Sequence, residues 1–240
     1  FGQCVNDDET FPAVMEATLP NTEVLNLGVM GYGQDQALLR LRRDGFPYRP
    51  DIVVFGFYRS DMSRNAVAFQ SLPKPRFRLT DSGLVLENVP VPMPEEYDRL
   101  WPPRLWNFVR IFSDSLDWGT KTEWAYIYDL SRTIVHQMAA DAEAFGMPLV
   151  VVHLPRVDTL AGEGPYGWPF IEKLCADMEG ERFRCVNPVD RFRQIASTPE
   201  AIQHHFDCHY SPELYRAVGE VTSEMLLREF PDVFLSAASR

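Results

Sequence analysis

The chain has 240 residues, of which 45% are hydrophobic and 24% are charged, and its formal net charge is −11 at pH 7. This composition is typical of one globular domain with a substantial core. The acidic balance excludes a nucleic-acid surface, which needs clustered Lys and Arg. The longest apolar run, at 147–154, is too short for a membrane span and predicts a buried strand. We therefore expect no nucleic-acid partner and no membrane span.

Helix and strand signals alternate in the first part of the chain. The sequence ETFPAVMEATL predicts a helix that no strand precedes, and TEVLNLG (22–28) predicts a short strand ending in glycine. Leucines at helical spacing in 35–45 predict a second helix, with Gly45 as its stop signal. The Val-Val-Phe core of 51–57 predicts a central buried strand.

The composition changes at about residue 72, where prolines become frequent. Residues 76–89 predict a hairpin with its turn at Asp81-Ser82-Gly83. Trp101 and Trp106 belong to an apolar stretch that would cap an edge of the core or a cleft. We interpret 72–117 as a surface insertion in a single domain covering 1–240, and not as a second domain.

Regular signals return in the second half. They predict a helix at 121–145 ended by Gly146, a buried strand at 148–155, a helix at 168–180 and a strand at 182–188. A last helix is predicted at 211–230, with Ser211 as N-cap and Pro212 at the first helical position. Four strands, each followed by a helix, indicate an α/β fold with a mostly parallel sheet.

The four cysteines, Cys4, Cys175, Cys185 and Cys208, form no CxxC motif and so give no zinc or redox signature. Two interpretations stay open: four reduced thiols, or two disulfides in an exported protein. Because the chain starts at Phe1 and not at Met, we expect that it was cut from a longer polypeptide. The absence of a signal peptide therefore has no meaning, and a secreted or periplasmic location is compatible with the sequence.

Polar residues crowd into HHFDCH (204–209), directly before the last predicted helix. His204, His205, Asp207 and His209 are candidate metal ligands, but two adjacent histidines cannot easily face one ion, and no second ligand cluster supports them. A solvated polar loop is the plainer alternative. The glycines at 28, 31 and 33 do not fit GxGxxG, so a dinucleotide site is not indicated. We expect neither a metal nor an organic cofactor.

Four segments in order resemble the conserved blocks of the SGNH (GDSL-type) hydrolase family. They are VNDDETFPAVMEATLP, EVLNLGVMGYGQDQALLRL, RPDIVVFGFYRSDMSRN and DCHYSPELYRAVGEVTSEML. The resemblance spans 1–65 and 121–230 and implies a flavodoxin-like three-layer α/β/α sandwich. It also implies a serine-dependent ester hydrolase acting through an acyl-enzyme on a small-molecule, carbohydrate or lipid ester. An acyltransferase on the same fold and a non-catalytic binding module are the alternatives.

The resemblance also implies roles for particular residues. His209 matches the general base, and Asp207 matches the carboxylate that orients it. Gly31 matches a backbone oxyanion donor, while Ser60 stands where the family usually has an asparagine donor. The family's Gly-Asp-Ser block, which carries the nucleophile, would precede Phe1, so the chain resembles a truncated member. Cys4 follows that missing block closely, and a contact or disulfide between Cys4 and Cys208 is a further hypothesis.

Overall fold

The structure is a computed structural model that describes residues 2–70, 72–91, 121–160, 168–178, 182–207 and 209–236. The chain divides into two compact units. The first unit comprises Phe1–Met30, Asp44–Arg59 and Asp141–Arg240, and the second comprises Gly31–Arg43 and Ser60–Ala140. Each unit is described below by itself.

The described strands and helices confirm a mixed α/β architecture. The strands are β1 (Val53–Tyr58), β2 (Arg76–Thr80), β3 (Gly83–Glu87), β4 (Leu149–Leu154) and β5 (Phe183–Val186). The α-helices are α1 (Phe11–Thr18), α2 (Gln34–Arg40), α3 (Asp61–Asn65), α4 (Lys121–Ala144), α5 (Val157–Leu160), α6 (Trp168–Asp177), α7 (Val189–Ile195), α8 (Pro199–His205), α9 (Pro212–Glu229) and α10 (Pro231–Ser236). A π-helical turn at Leu41–Gly45 continues α2 to the predicted stop.

The first unit contains a parallel sheet in the order β1-β4-β5. β4 lies in the middle, and five of its six residues are buried, as its Leu-Val-Val-Val run predicted. In β1 only Val53 and Phe57 are buried. Among the described strands β1 lies at an edge, next to β4, although the sequence predicted a central position.

The predicted strand at 22–28 is also wrong, because these residues have no regular secondary structure. A strand exists only where a neighbouring backbone accepts and donates its hydrogen bonds. The backbone N–H of Val24 instead donates to the Glu16 carboxylate at 2.7 Å. Leu25 remains 43% exposed.

One hydrophobic cluster of the first unit lies on the sheet face that carries Val150, Val152 and Val186, where α1 packs against α9. The two helices approach closely at Gly219 on α9. A Cβ atom at this position would lie 2.6 Å from Cγ1 of Val14 and 3.0 Å from the backbone oxygen of Phe11. Only glycine fits such a distance without displacing one of the helices.

Replacing Gly219 by valine is therefore expected to lower the free energy of unfolding by about 1–3 kcal/mol through overpacking. Urea denaturation followed by circular dichroism measures this change. Glu224→Val introduces the same side chain on the same helix, where the native side chain is 65% exposed, and is expected to cost less than about 0.5 kcal/mol. Equal losses in the two variants would contradict the close packing at Gly219.

A disulfide joins Cys175 of α6 to Cys185 of β5. None of the described cysteines is free, so the interpretation with four reduced thiols is wrong. Cys4 is disulfide-bonded. The hypothesis of a Cys4–Cys208 contact depends on Cys208, which lies outside the described residues.

The second unit contains α2, α3, most of α4 and the antiparallel pair β2-β3. The hairpin and its turn lie where the sequence predicted them, with Thr80 paired to Gly83. α4 ends as predicted, and Gly146 follows with φ +75°. The remainder of the proposed insertion, including Trp101 and Trp106, lies outside the described residues. None of the described helices has both the length and the apolar character needed to cross a membrane.

Candidate functional site

The candidate base His209 lies in the first unit, in the short connection between α8 and α9. Its ring is exposed, and Nε2 is hydrogen-bonded to the side-chain oxygen of Gln3, 206 residues away in sequence. Nε2 is the nitrogen through which a histidine base takes a proton when Nδ1 faces an orienting carboxylate. The side chain of Gln3 therefore contacts the His209 nitrogen that would accept a proton if His209 were the base.

Tyr210 holds the loop that carries His209. Its ring is buried and contacts Phe192, Phe206 and Tyr215 with centroid separations of 5.2, 5.3 and 5.4 Å. Its hydroxyl donates a hydrogen bond to the backbone oxygen of Pro155, directly after β4. Burial raises the pKa of Tyr210 well above its usual value, so the hydroxyl keeps its proton. Because its neighbour is anchored in this way, the backbone of His209 is held beside the end of β4.

Tyr215 of α9 lies near the same end of the chain. Its ring is buried and contacts that of Tyr210. Burial raises the pKa of Tyr215, and the backbone of Gln3 opposes that rise. Gln3 therefore lies near Tyr215 and contacts His209 through its side chain.

Two polar residues of the stretch at 204–212, His205 and Ser211, lie at the start of α9. Ser211 is the N-cap, as predicted: its hydroxyl accepts from the backbone N–H of Leu214 at 3.4 Å. His205 Nδ1 lies 2.7 Å from the same hydroxyl, and it lies 3.8 Å from the Glu213 carboxylate. His205 therefore supports the cap. Within the described ranges no group of three or more His, Cys, Asp or Glu side chains could hold a metal ion.

Asp207 is exposed, and no hydrogen bond joins its carboxylate to His209, although both residues are among those described. The structure therefore places the two candidate residues in one loop without the contact that orients a catalytic histidine. Catalytic hydrogen bonds are often long in the absence of substrate, so the separation does not by itself remove Asp207 from the candidate site.

Gly31 and Ser60, the two candidate oxyanion donors, belong to the second unit. Gly31 has φ +80° and open space where a side chain would stand. The amide of Gln70, oriented to satisfy both of its neighbours, donates to the backbone oxygen of Gly31 and accepts from Arg64 Nε, each at 3.2 Å. Arg64 Nη1 also donates to the backbone oxygen of Tyr32 at 3.1 Å. The Gly31 loop is therefore tied down by side chains and is not a free turn.

Ser60 lies at the start of α3, and its backbone oxygen accepts from the Ser63 hydroxyl at 3.0 Å. The adjacent Asp61 forms an ion pair with Arg64. Burial raises the pKa of Asp61 to about 7, and the opposing charge of Arg64 limits that rise. The described partner of Asp61 is therefore the arginine that holds the Gly31 loop.

A buried polar network in the second unit was not predicted. Lys74 forms an ion pair with Asp35, and both side chains are buried. Asn65 accepts from the backbone N–H of Asp35 at 3.2 Å and donates to Gln34 and Ser131 at 3.0 Å each. Burial raises the pKa of Asp35 and lowers that of Lys74, while each charge opposes the shift of the other. The network joins the start of α2 to α3, α4 and the segment before β2.

A charged cluster at the carboxyl ends of β1 and β4 was also missed. Arg59 Nη1 lies 3.2 Å from Asp158 Oδ2, and Arg156 Nε lies 3.5 Å from Asp158 Oδ1. All three residues belong to the first unit. Ligands of open α/β sheets bind at this edge, and the cluster lies next to the Pro155 oxygen that anchors Tyr210.

His153 of β4 is a buried histidine to which the sequence assigned no role. Its Nδ1 lies 3.4 Å from Asn187 Oδ1. Burial lowers the pKa of His153 to about 4, although the bond to Asn187 opposes the shift. Because an unfolded chain binds this proton below about pH 6.5, stability is complete above that pH and falls as the pH decreases towards 4.

Replacing His153 by glutamine, which does not titrate, tests this dependence. The unfolding free energy of the native protein minus that of the variant is expected to fall by about 3 kcal/mol between pH 7 and pH 4. The difference is the correct readout, because the raised pKa of Asp61 acts in the opposite direction over the same range. The exposed His204→Gln is the matched control. A difference for His153→Gln that stays constant with pH would contradict the assignment.

No protein-family model, curated protein or solved structure gives a significant match to the chain.

Proposed function

We propose that the protein is a serine-dependent ester hydrolase of the SGNH type, with His209 as the general base. The observation that carries the proposal is the hydrogen bond between His209 Nε2 and Gln3. In the proposed arrangement the nucleophilic serine precedes Phe1 by a few residues, because no Gly-Asp-Ser sequence occurs within the chain. A base that contacts residue 3 lies close to that serine.

The position of β1 at an edge of the described sheet supports the proposal that a β-strand precedes Phe1. β1 pairs with β4 on one side, and on its other side none of the described residues forms a strand. An added strand along β1 would satisfy the backbone groups on that side of the strand. Such a strand would end in the serine at the carboxyl edge of the sheet, and it would extend the sheet towards the flavodoxin-like sandwich that the family resemblance implies.

In the proposed reaction the serine oxygen attacks the ester carbonyl while His209 takes the hydroxyl proton. The alcohol leaves with that proton, and an acyl-enzyme remains. A water molecule then attacks the acyl-enzyme and gives a proton to His209, which passes it to the departing serine oxygen. The carboxylic acid is released, and the serine hydroxyl is regenerated. Asp207 orients the imidazolium once its carboxylate turns to Nδ1. Gly31 and Ser60 are the proposed donors to the oxyanion, and this chemistry needs no cofactor.

The Cys175–Cys185 disulfide supports an oxidising compartment, since such bonds are rare in the cytosol of most organisms. A location outside the cytosol suits an enzyme that acts on carbohydrate or lipid esters. The proposal therefore includes export of the protein.

The residues encoded directly before Phe1 test the proposal most cheaply. We expect an apolar strand that ends in Gly-Asp-Ser. A protein that includes these residues is expected to react with a fluorophosphonate, and mass spectrometry is expected to place the adduct on that serine. Another residue in place of the serine, or the absence of an adduct, would overturn the hydrolase proposal and favour a non-catalytic binding module.

A further inference from the structure

One guanidinium group of the second unit connects two segments that are distant in sequence. Arg64 Nη1 donates to the backbone oxygen of Tyr32 at 3.1 Å, 32 positions earlier, and to the carboxylate of Asp61 at 2.5 Å. Arg64 Nε donates to the side-chain oxygen of Gln70 at 3.2 Å, and the amide nitrogen of Gln70 donates to the backbone oxygen of Gly31. A single side chain therefore holds two successive carbonyl groups of the Gly31 loop (residues 31–33), one directly and one through Gln70.

The Gly31 loop also packs directly against α3, at Gly33. A Cβ atom at Gly33 would lie 2.5 Å from Asp35 Oδ1, 2.9 Å from Asn65 Oδ1 and 3.1 Å from the Cβ of Arg64. Asp35 and Asn65 are fully buried, so neither can move aside without disturbing the packing around it. The loop is thus in contact with α3 at Gly33 and is held by the Arg64 guanidinium at its two preceding residues.

The two segments that Arg64 connects are those that carry the proposed oxyanion donors. Gly31 has φ +80°, and within the described ranges no group accepts a hydrogen bond from its backbone N–H. Ser60 directly precedes Asp61, and its backbone oxygen accepts from the hydroxyl of Ser63 in α3. Arg64 therefore contacts the residue that follows each donor, and it fixes the spacing between the two segments.

We propose that Arg64 is a positioning residue of the oxyanion site, which holds the Gly31 loop and the start of α3 so that their donors are aimed at one point. Such donors stabilise a transition state only when they are already directed to the place where negative charge develops. A guanidinium suits this task, because its rigid fork donates in several directions and its charge-assisted bonds are about twice as strong as neutral ones. The catalytic part of this inference rests on the proposed function, whereas the ordering of the loop does not.

An NMR experiment tests the ordering of the loop without any catalysis. The protein that includes the residues before Phe1 is labelled with [15N]glycine, and the backbone order parameters of Gly31 and Gly33 are measured. The native values are expected to be about 0.85, and Arg64→Gln is expected to lower that of Gly31 below about 0.6. Arg64→Lys is expected to cause a smaller decrease, because it keeps the charge beside Asp61 but lacks the fork. An unchanged value in Arg64→Gln would overturn the inference.

Arg76→Gln is the matched control in the same unit. Arg76 is 36% exposed and Arg64 is 29% exposed. Arg76 also joins a carboxylate, that of Glu87, to a backbone oxygen, that of Ala66, but none of its described contacts is with the Gly31 loop. The order parameter of Gly31 is expected to stay at its native value in this variant. Equal decreases in the two variants would indicate a general loss of structure and would overturn the specific role of Arg64. Circular dichroism shows that each variant is folded before it is measured.

A kinetic experiment then connects the loop to catalysis. With 4-nitrophenyl acetate, Arg64→Gln is expected to lower kcat by about 10–100-fold, because a small misplacement of a positioned group has an effect of this size. The KM is expected to change by less than about threefold, because the oxyanion forms only after attack on the carbonyl. A merely structural role would instead lower the amount of active protein. The kcat is therefore expressed per serine that a fluorophosphonate labels at completion, and Arg76→Gln is expected to keep the native value.

The outcomes separate this inference from the proposed function. If the native protein hydrolyses the ester and Arg64→Gln has the native kcat per labelled serine, or loses only substrate affinity, the positioning role is overturned while the hydrolase proposal stands. If the native protein hydrolyses no ester, the hydrolase proposal fails together with the oxyanion role. The NMR comparison still decides, in that case, whether Arg64 orders the Gly31 loop.

Discussion

Replacing His209 by asparagine is expected to lower kcat/KM for ester hydrolysis by about 10²–10⁴-fold, because the serine then loses the base that takes its proton. The measurement uses the protein that includes the residues before Phe1, with 4-nitrophenyl acetate as substrate. Asparagine is polar and smaller than histidine, and the side chain is exposed, so the unfolding free energy is expected to change by less than about 0.5 kcal/mol.

His204→Asn makes the same chemical change five positions earlier, in an exposed residue at the end of α8. It is expected to leave kcat/KM within a factor of two, and equal losses in the two variants would contradict the assignment of the base.

Replacing Lys74 by methionine is expected to lower the free energy of unfolding by about 3–5 kcal/mol. The substitution leaves the Asp35 carboxylate buried without its positive partner, and the remaining charge must be desolvated or neutralised. Asp35 has a side chain with 0% exposure, and Lys74 has 5%. Water therefore cannot replace the lost ammonium group. Chemical denaturation monitored by circular dichroism measures the loss.

Two comparisons separate the buried charge from the lost side chain. The double variant Lys74→Met with Asp35→Asn removes both charges and is expected to be more stable than Lys74→Met alone, because no unpaired charge remains. Arg193→Met breaks the exposed ion pair with Asp190, whose side chain is 91% exposed, and is expected to cost less than about 1 kcal/mol. A Lys74→Met variant as stable as Arg193→Met would contradict the role of the buried pair.

The elements that the sequence predicted correctly are those with local signals. Ser211, Pro212 and Glu213 mark the start of α9, and the hairpin follows from the turn at Asp81-Ser82 between two apolar runs. The same kind of signal was overlooked once: Thr198 caps α8, with Pro199 in its first turn, just as Ser211 and Pro212 do for α9. That helix could have been predicted from the same rule.

The errors concern pairing between distant segments. Residues 22–28 have the composition of a strand but lack a backbone partner in the described structure. β1 lies at an edge of the described sheet, although its sequence predicted a position in the centre of the sheet. Hydrophobic patterning indicates that a segment is extended and half-buried; it does not identify the neighbouring strand.

The sequence by itself determined the α/β class, the five described strands and five of the ten described α-helices. These depend on caps and periodicity, which are properties of neighbouring residues. His209 and Asp207 became a candidate pair through a family resemblance, and their roles stay a prediction. Only the tertiary structure decided that Gln3 contacts His209, that Asp35 pairs with Lys74 and that Arg59 meets Asp158, across separations of 206, 39 and 99 residues. Contacts of this kind follow from how the chain packs, and no local pattern specifies which distant side chains will meet.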